Sequence, residues 1–312
     1  MSESLSPNQN PTLQSHTTPG ALQLEDTRGS SKQFEMQAAL IPEENRFEYE
    51  SGAKLLSIVK STADSGSAEE YFLYFHGVTH DRLPELDRAF YDSESDIRCT
   101  LLFTTENSLQ ALICRILPGG RHKTLMMNLS MRISSKVAEI PGHTHRSIST
   151  ISTARRFYLG DIRSKEGYQD LGPRTCVAKD DWPPAVIEVG YSEALEFLRL
   201  DAEWWLINSA SATRLVILVQ LMVDPFAIRI EFWAMAPPPL PTRIGDTPIG
   251  LPGRVQLFNI DANGVVTSTS PQPELRIPYS SLFDKPNPNA QDVVFTNDEL
   301  SSFALQMFQF MD

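Results

Sequence analysis

The sequence predicts an α/β fold, and the strongest indication is a strand–helix–strand pattern over residues 185–221. Residues 185–189 are a β-branched run that follows two prolines, which mark the start of a strand because proline cannot donate a ladder hydrogen bond. Residues 193–208 place apolar side chains on one helical face, and 214–221 are almost continuously apolar, as expected of a strand covered on both faces. This order predicts two parallel strands joined by a right-handed crossover through the helix.

The segments on either side extend the α/β pattern. A helix is predicted over 122–140, where apolar residues recur at every fourth position and define one buried face. The same kinds of pattern predict strands at 71–75, 99–105, 109–117, 149–161 and 228–235, a hairpin from 254–260 and 265–270, and a C-terminal helix at 298–311. We therefore expect a central mixed β-sheet of roughly four or five strands, flanked by helices, with β-rich C-terminal additions.

Composition divides the chain into three parts. Residues 1–35 are rich in Ser, Thr, Gln, Asn and Pro, so they bury too little apolar surface to offset their ordering entropy, and we predict a disordered tail. Residues 45–235 are expected to form the α/β domain. Residues 236–312 begin with a Pro-rich linker and continue with the hairpin and the C-terminal helix, which we expect to pack on the same domain.

Charge and cysteine usage restrict the class of protein. The 312-residue chain carries a formal net charge of −12, which repels phosphate backbones, so a nucleic-acid partner would require a local basic groove. The three cysteines are widely spaced and form no pair typical of a zinc site or a disulfide framework. No segment resembles a secretory signal or reaches the ~20 apolar residues of a membrane span. We expect an intracellular protein, cytoplasmic or nuclear, without a membrane partner.

A glutamate in the most apolar part of the chain is the main candidate for chemistry. Glu188 interrupts the β-branched run 185–189, where an unpaired carboxylate would be strongly penalised by desolvation. It must therefore meet a cation, hold a proton, or lie where the strand opens to solvent. Asp170 lies upstream, and two carboxylates on neighbouring strands, together with a backbone carbonyl, form the usual protein share of a magnesium site.

The residues around Glu188 resemble a known superfamily. Residues 182–193, with the sequence WPPAVIEVGYSE, and 198–206, with the sequence LRLDAEWWL, are similar to a group of fungal proteins of the restriction-endonuclease-like (PD-(D/E)XK) superfamily. Upstream, residues 115–118 (RILP) followed by His122 resemble the approach of that group to its first helix. The resemblance covers residues 97–222 and implies a restriction-endonuclease-like core.

The resemblance also implies an activity and a set of site residues. It points to a nuclease that hydrolyses phosphodiester bonds of nucleic acid with magnesium, in which a metal-bound water is the nucleophile. Asp170, Glu188 and the carbonyl of Val189 would hold the metal. Arg199 would stand in for the catalytic lysine of the superfamily.

The chain departs from the pattern of the group at several positions, and these departures leave two functions open. Gln169 replaces the proline that precedes the first acidic residue, so Asp161 is an alternative to Asp170. Gly190 stands where the superfamily has its lysine, and Lys123 stands where the first helix usually carries a glutamate. The chain is then either a magnesium-dependent nuclease with an incomplete site or a catalytically degenerate member of the same fold that acts as a binding or scaffold module.

The same residues also have structural interpretations. Glu188 could form a partly buried ion pair with Arg214 or Arg199. Arg199 in turn lies three and four residues from Glu196 and Glu203 on the predicted helix, a spacing at which opposite charges pair.

Overall fold

The chain builds two large mixed β-sheets with helices between and outside them. The computed structural model describes residues 28–64, 70–91, 98–104, 109–117, 121–151, 156–159, 163–166, 169–173, 182–191, 195–236, 250–285 and 287–310. In chain order the strands are β1 (Arg46–Glu48), β2 (Tyr71–His76), β3 (Arg98–Thr104), β4 (Ala111–Leu117), β5 (Ile148–Ile151), β6 (Arg156–Leu159), β7 (Arg163–Glu166), β8 (Gln169–Pro173), β9 (Ala185–Tyr191), β10 (Leu215–Val223), β11 (Phe226–Met235), β12 (Pro252–Asp261), β13 (Val266–Ser268), β14 (Leu275–Ile277) and β15 (Val293–Phe295).

Strand pairing separates these elements into two large sheets and one small one. The first sheet has six strands in the order β1-β2-β4-β3-β7-β6, and only its β1–β2 pair is parallel among the described pairs. The second sheet has seven strands in the order β13-β12-β11-β10-β9-β8-β5. Its β9–β10 pair is parallel and its other neighbours are antiparallel. The small sheet pairs β14 with β15.

The helices fill the layers around the two large sheets. They are α1 (Arg28–Ala39), α2 (Gly52–Ala63), α3 (Leu83–Tyr91), α4 (Arg121–Glu139), α5 (Leu195–Asn208), α6 (Tyr279–Leu282) and α7 (Asn297–Gln309). Helices α1 and α5 share one apolar core with the facing sides of both sheets, α2 and α3 cover the outer side of the first sheet, and α4, α6 and α7 cover the outer side of the second. Within the described part of the chain, no helix is both long and apolar enough to span a bilayer.

The predicted α/β class and its strand–helix–strand unit are confirmed. Strand β9 pairs in parallel with β10, and α5 connects them. The predicted amphipathic helix is α4, whose residues Leu125, Leu129, Ile133 and Val137 are all buried in the core against the second sheet.

The number of sheets differs from the prediction. The segment 149–161, predicted as one strand, contains β5, which pairs with β8 in the second sheet, and β6, which pairs with β7 in the first. Local patterns of apolar residues cannot show that a chain crosses from one sheet to another, because both strands bury side chains in the same way. The predicted Pro-rich linker lies at residues outside the described ranges, and β12 and β13 extend the second sheet itself.

The predicted N-terminal tail extends too far along the chain. Residues 1–27 lie outside the described residues, but helix α1 begins at Arg28 and packs on α5. Phe34 is only 3% exposed, and Gln37 donates a hydrogen bond to Asp201 of α5 at 2.7 Å. Helix α1 contains few large apolar residues. Its packing depends on the ring of Phe34 and on glutamine side chains, and the periodicity of apolar residues does not reveal such contacts.

If α1 is part of the folded core, removing its aromatic anchor should destabilise the protein. We expect Phe34→Ala to lower the free energy of unfolding by about 3–5 kcal/mol, because it removes a buried ring. The matched control is Glu35→Ala at the next, exposed position, which should change stability by no more than about 0.5 kcal/mol. Chemical denaturation of the three proteins measures both effects, and equal stability of the two variants would show that α1 does not pack.

Candidate functional site

The two predicted acidic residues lie on adjacent strands of the second sheet. In the antiparallel β8–β9 register Asp170 pairs with Val186, two residues before Glu188, so both carboxylates project from the same face of the sheet. This face points toward α5 and the first sheet, because Val186 belongs to the core between the sheets. Diagonal positions of this kind are about 7–8 Å apart. Asp161, the alternative to Asp170, lies outside the described residues.

The carboxylate of Glu188 is enclosed and hydrogen-bonded. Glu188 is 1% exposed. Its Oε1 accepts a hydrogen bond from the indole Nε1 of Trp205 on α5 at 2.8 Å, and its Oε2 lies 3.5 Å from Nη1 of Arg115 on β4. The cation that meets Glu188 is thus Arg115, whereas Arg214 contacts Asp284.

Arg115 crosses from the first sheet to the second. Its Nε donates to the carboxylate of Glu70, just before β2, and its Nη2 donates to the backbone carbonyl of Val189 on β9. Glu70 is itself fixed, because it accepts a hydrogen bond from the backbone N–H of Tyr191 at 3.1 Å. A single guanidinium therefore contacts the Glu188 carboxylate and the Val189 carbonyl, two of the groups predicted to bind magnesium.

A second cation completes the arrangement. The Nζ of Lys165 on β7 contacts Oδ1 of Asp201 on α5, and Nη1 of Arg115 lies 3.8 Å from Oδ2 of the same carboxylate. Gln37 of α1 also donates to Asp201, at 2.7 Å. We call the set Glu70, Arg115, Lys165, Glu188 and Asp201 the interlayer ion cluster, since both sheets and the helix between them contribute to it.

Burial and opposite charges compete within this cluster. Burial raises the pKa of Glu188 above its ordinary value, although Lys165 and Arg115 act in the opposite direction. Burial likewise raises the pKa of Glu70 against the effect of Arg115. For Arg115 burial alone would lower the pKa, but Glu70, Glu188 and Asp201 raise it above its ordinary value. Arg115 therefore stays charged, and the glutamates retain protons more readily than exposed carboxylates do.

A small crevice adjoins Arg115, Lys165 and Asp201 of the interlayer ion cluster. This crevice, lined by Gln37, Phe72, Arg115, Lys165 and Asp201, among others, offers about 20 Å³, which accommodates about one water molecule. The stacked rings of Phe72 and Phe197, with centroids 3.7 Å apart, form part of its wall. Across the described ranges, no group of three or more His, Cys, Asp or Glu residues is arranged to hold a metal ion.

Arg199 lies in a different cluster. Its Nη2 contacts Oε1 of Glu231 on β11 at 2.9 Å, and its Nη1 contacts Glu196 at 2.8 Å, which is one of the two helical pairs predicted for it. Arg229 and Arg254 contact the same oxygen of Glu231, at 2.7 and 3.3 Å. We call the three arginines around Glu231 the guanidinium cluster.

The guanidinium cluster stabilises the ionised form of its glutamate. The side chain of Glu231 is 1% exposed, and burial alone would raise its pKa. Hydrogen bonds from Arg199, from the indole of Trp233 and from Arg229 outweigh burial and lower the pKa of Glu231 to about 2. Glu231 therefore acts as a permanently charged counter-ion at neutral pH.

Sequence reasoning missed four members of the interlayer ion cluster, and two of them carried a detectable signal. Arg115 interrupts the apolar strand ALICRIL in the same way that Glu188 interrupts its own strand. Asp201 lies on the apolar face of α5, three residues after Leu198 and four before Trp205. Lys165 and Glu70 lie in polar surroundings of the sequence, where a buried charge cannot be distinguished from an exposed one.

No protein-family model matches the sequence, and no curated protein matches it at a significant level.

The depressed pKa of Glu231 predicts a specific pH dependence of stability. A carboxyl whose pKa is about 2 when folded, against an ordinary value of 4.5, contributes stability that is fully present above 4.5 and is lost as the pH falls toward 2. We expect Glu231→Gln to destabilise the protein by about 2–3 kcal/mol near neutral pH, because it removes the buried charge that pairs with three arginines, and water partly compensates these since they are 23–38% exposed. The deficit should shrink as the pH falls below 4.5.

The matched control for this experiment is Glu274→Gln. Glu274 also faces an arginine, Arg276, at 3.3 Å, but its side chain is well exposed, so the change should be worth about 0–1 kcal/mol at any pH. Denaturant titrations across the acidic range measure both variants. A Glu231→Gln deficit that does not change with pH would show that the carboxylate is not stabilised by charge.

Proposed function

We propose that the chain is a catalytically degenerate member of the restriction-endonuclease-like fold that acts as a binding or scaffold module. One observation carries this proposal: the guanidinium of Arg115 contacts both the carboxylate of Glu188 and the carbonyl of Val189. These are the groups that an active relative would use to hold its metal ion. In this proposal a protein cation has replaced the metal.

The order of the elements around the interlayer ion cluster supports the relationship to this fold. The resemblance implies a first helix, a strand with the first acidic residue, a strand with the glutamate, a crossover helix and an apolar parallel strand. Helix α4, strands β8 and β9, helix α5 and strand β10 occur in that order along the chain, with β5, β6 and β7 between α4 and β8, and β8, β9 and β10 are neighbours in one sheet. Glu188 occupies the central strand of these three.

The donor set suits a guanidinium better than a hydrated magnesium ion. Arginine is charged at all relevant pH values and presents five donors in one plane, which allows it to bond a carboxylate and a carbonyl together. Magnesium usually keeps several of its waters, whereas Glu188 is only 1% exposed and the crevice beside Arg115, Lys165 and Asp201 accommodates about one water molecule. Both oxygens of Glu188 are already engaged, one by Trp205 and one by Arg115.

A second candidate, a magnesium-dependent nuclease acting on nucleic acid, is favoured by two observations. Asp170 and Glu188 share one face of adjacent strands. Lys165 contacts Asp201 in the same cluster and lowers the pKa of Glu188, so Lys165 would supply the basic group that Gly190 lacks, in place of Arg199. This candidate requires Arg115 to withdraw from Glu188 so that Asp170, Glu188 and the carbonyl of Val189 become available to a metal ion.

Magnesium and a charge-removing substitution distinguish the two candidates. For the degenerate module, we expect magnesium to leave the melting temperature of the wild type unchanged, and neither DNA nor RNA to be cleaved. Glu188→Gln should destabilise the protein by about 3–5 kcal/mol, because it removes one partner of a buried ion cluster. Glu196→Gln, an exposed glutamate on the neighbouring helix, serves as the control and should have an effect of at most about 1 kcal/mol.

The nuclease makes the opposite predictions in the same experiments. A metal that binds only the folded protein raises its melting temperature by mass action. Glu188→Gln would abolish that increase together with any cleavage, and the metal-free variant would be at least as stable as the wild type. That combination of results would overturn the proposal of a degenerate module.

A further inference from the structure

The guanidinium cluster is a concentration of positive charge on a chain that is strongly negative. Arg199, Arg229 and Arg254 surround Glu231, and Glu196 is the only other carboxylate that contacts them among the described residues. Three cations thus meet two carboxylates, on a chain whose formal net charge is −12. The cluster keeps an excess of positive charge that its own residues do not neutralise.

The carboxylate of the guanidinium cluster is buried, whereas its three arginines are partly exposed to solvent. The side chain of Glu231 is 1% exposed, whereas those of Arg199, Arg229 and Arg254 are 25%, 23% and 38% exposed. Glu231 draws together three guanidinium groups that would otherwise repel one another. The contacts with Glu231 use Nε and Nη2 of Arg229 and Nη1 of Arg254, so each of these groups has further N–H donors.

We propose that the guanidinium cluster binds a phosphate dianion, either inorganic phosphate or the terminal phosphate of a small phosphorylated molecule. Guanidinium groups match the oxygens of phosphate in pairs and bind it through charge-assisted hydrogen bonds. The arginines come from α5, β11 and β12 and converge on one carboxylate, so their binding geometry is fixed before a ligand arrives and little ordering is needed on binding.

The shape of the cluster favours a compact anion over a nucleic-acid strand. A polymer is bound along a stripe of basic residues that follows its backbone, whereas these three arginines meet at a single point. The net charge of the chain also repels a polyanion more strongly than a single phosphate group. The proposed site is independent of the interlayer ion cluster and of whether that cluster is catalytic.

The test measures binding of inorganic phosphate to the full chain by calorimetry and by thermal shift. Arg254→Met is the variant of choice, because Arg254 is the most exposed of the three and its contact with Glu231 is the longest, at 3.3 Å. Its matched control is Arg276→Met on β14, because Arg276 is also 38% exposed and also contacts one glutamate at 3.3 Å. We expect phosphate to bind and stabilise the wild type and Arg276→Met, and affinity to fall about tenfold or more in Arg254→Met.

A second variant and a second ligand complete the test. Arg254→Lys keeps the charge but loses the paired donors, so it should bind phosphate more weakly than the wild type, and it serves if Arg254→Met does not fold. A nucleoside monophosphate that binds more tightly than inorganic phosphate identifies the ligand as the end of a phosphorylated molecule, and equal affinity identifies free phosphate. The inference is overturned if phosphate does not bind the wild type, if Arg254→Met and Arg276→Met weaken binding equally, or if only oligonucleotides without a terminal phosphate bind.

Discussion

One buried guanidinium connects the two sheets of this protein. Arg115 projects from the first sheet, and it contacts Glu70 on its own side and both Glu188 and the carbonyl of Val189 on the other. A buried charge is tolerated only when its hydrogen-bonding capacity and its charge are both satisfied, and arginine can meet several acceptors at once because its donors lie in a fixed plane. This contact joins the two sheets beside the apolar core that they share with α1 and α5.

The same contact links the architecture to the proposed function. Glu188 faces the space between the sheets, and Arg115 of the first sheet contacts its carboxylate. The Glu188 carboxylate accepts a hydrogen bond from Trp205 and contacts Arg115. A cluster of this kind is destabilising when it loses one member, because the remaining charges are then buried without compensation. In the proposed degenerate module, the members of the interlayer ion cluster therefore contribute to stability and not to catalysis.

The sequence predicted those features that depend on neighbouring residues. The parallel pair β9–β10 and its helix α5 followed from a β-branched run, an apolar helical face and an apolar strand. The cost of desolvation limited Glu188 to three environments, namely a cation, a bound proton or an opening to solvent. The partner of Glu188 could not be identified, because Arg115 is 73 residues away and lies in another sheet. The division of 149–161 between two sheets and the docking of α1 escaped prediction for the same reason, since both depend on tertiary contacts. The expected roles of Asp170, Glu188, Val189 and Arg199 in binding magnesium and in catalysis stay predictions.

Arg115 and Glu188 form one buried pair, and a double-mutant cycle tests most directly whether the two side chains are energetically coupled. Unfolding free energies are measured for the wild type, Arg115→Met, Glu188→Gln and the double variant. If the guanidinium holds the carboxylate, the two single changes are non-additive, with a coupling free energy of about 1–3 kcal/mol, and the double variant is more stable than the sum of the single effects predicts. Additive effects, within about 0.5 kcal/mol, would contradict the claim that Arg115 occupies the cation position at Glu188.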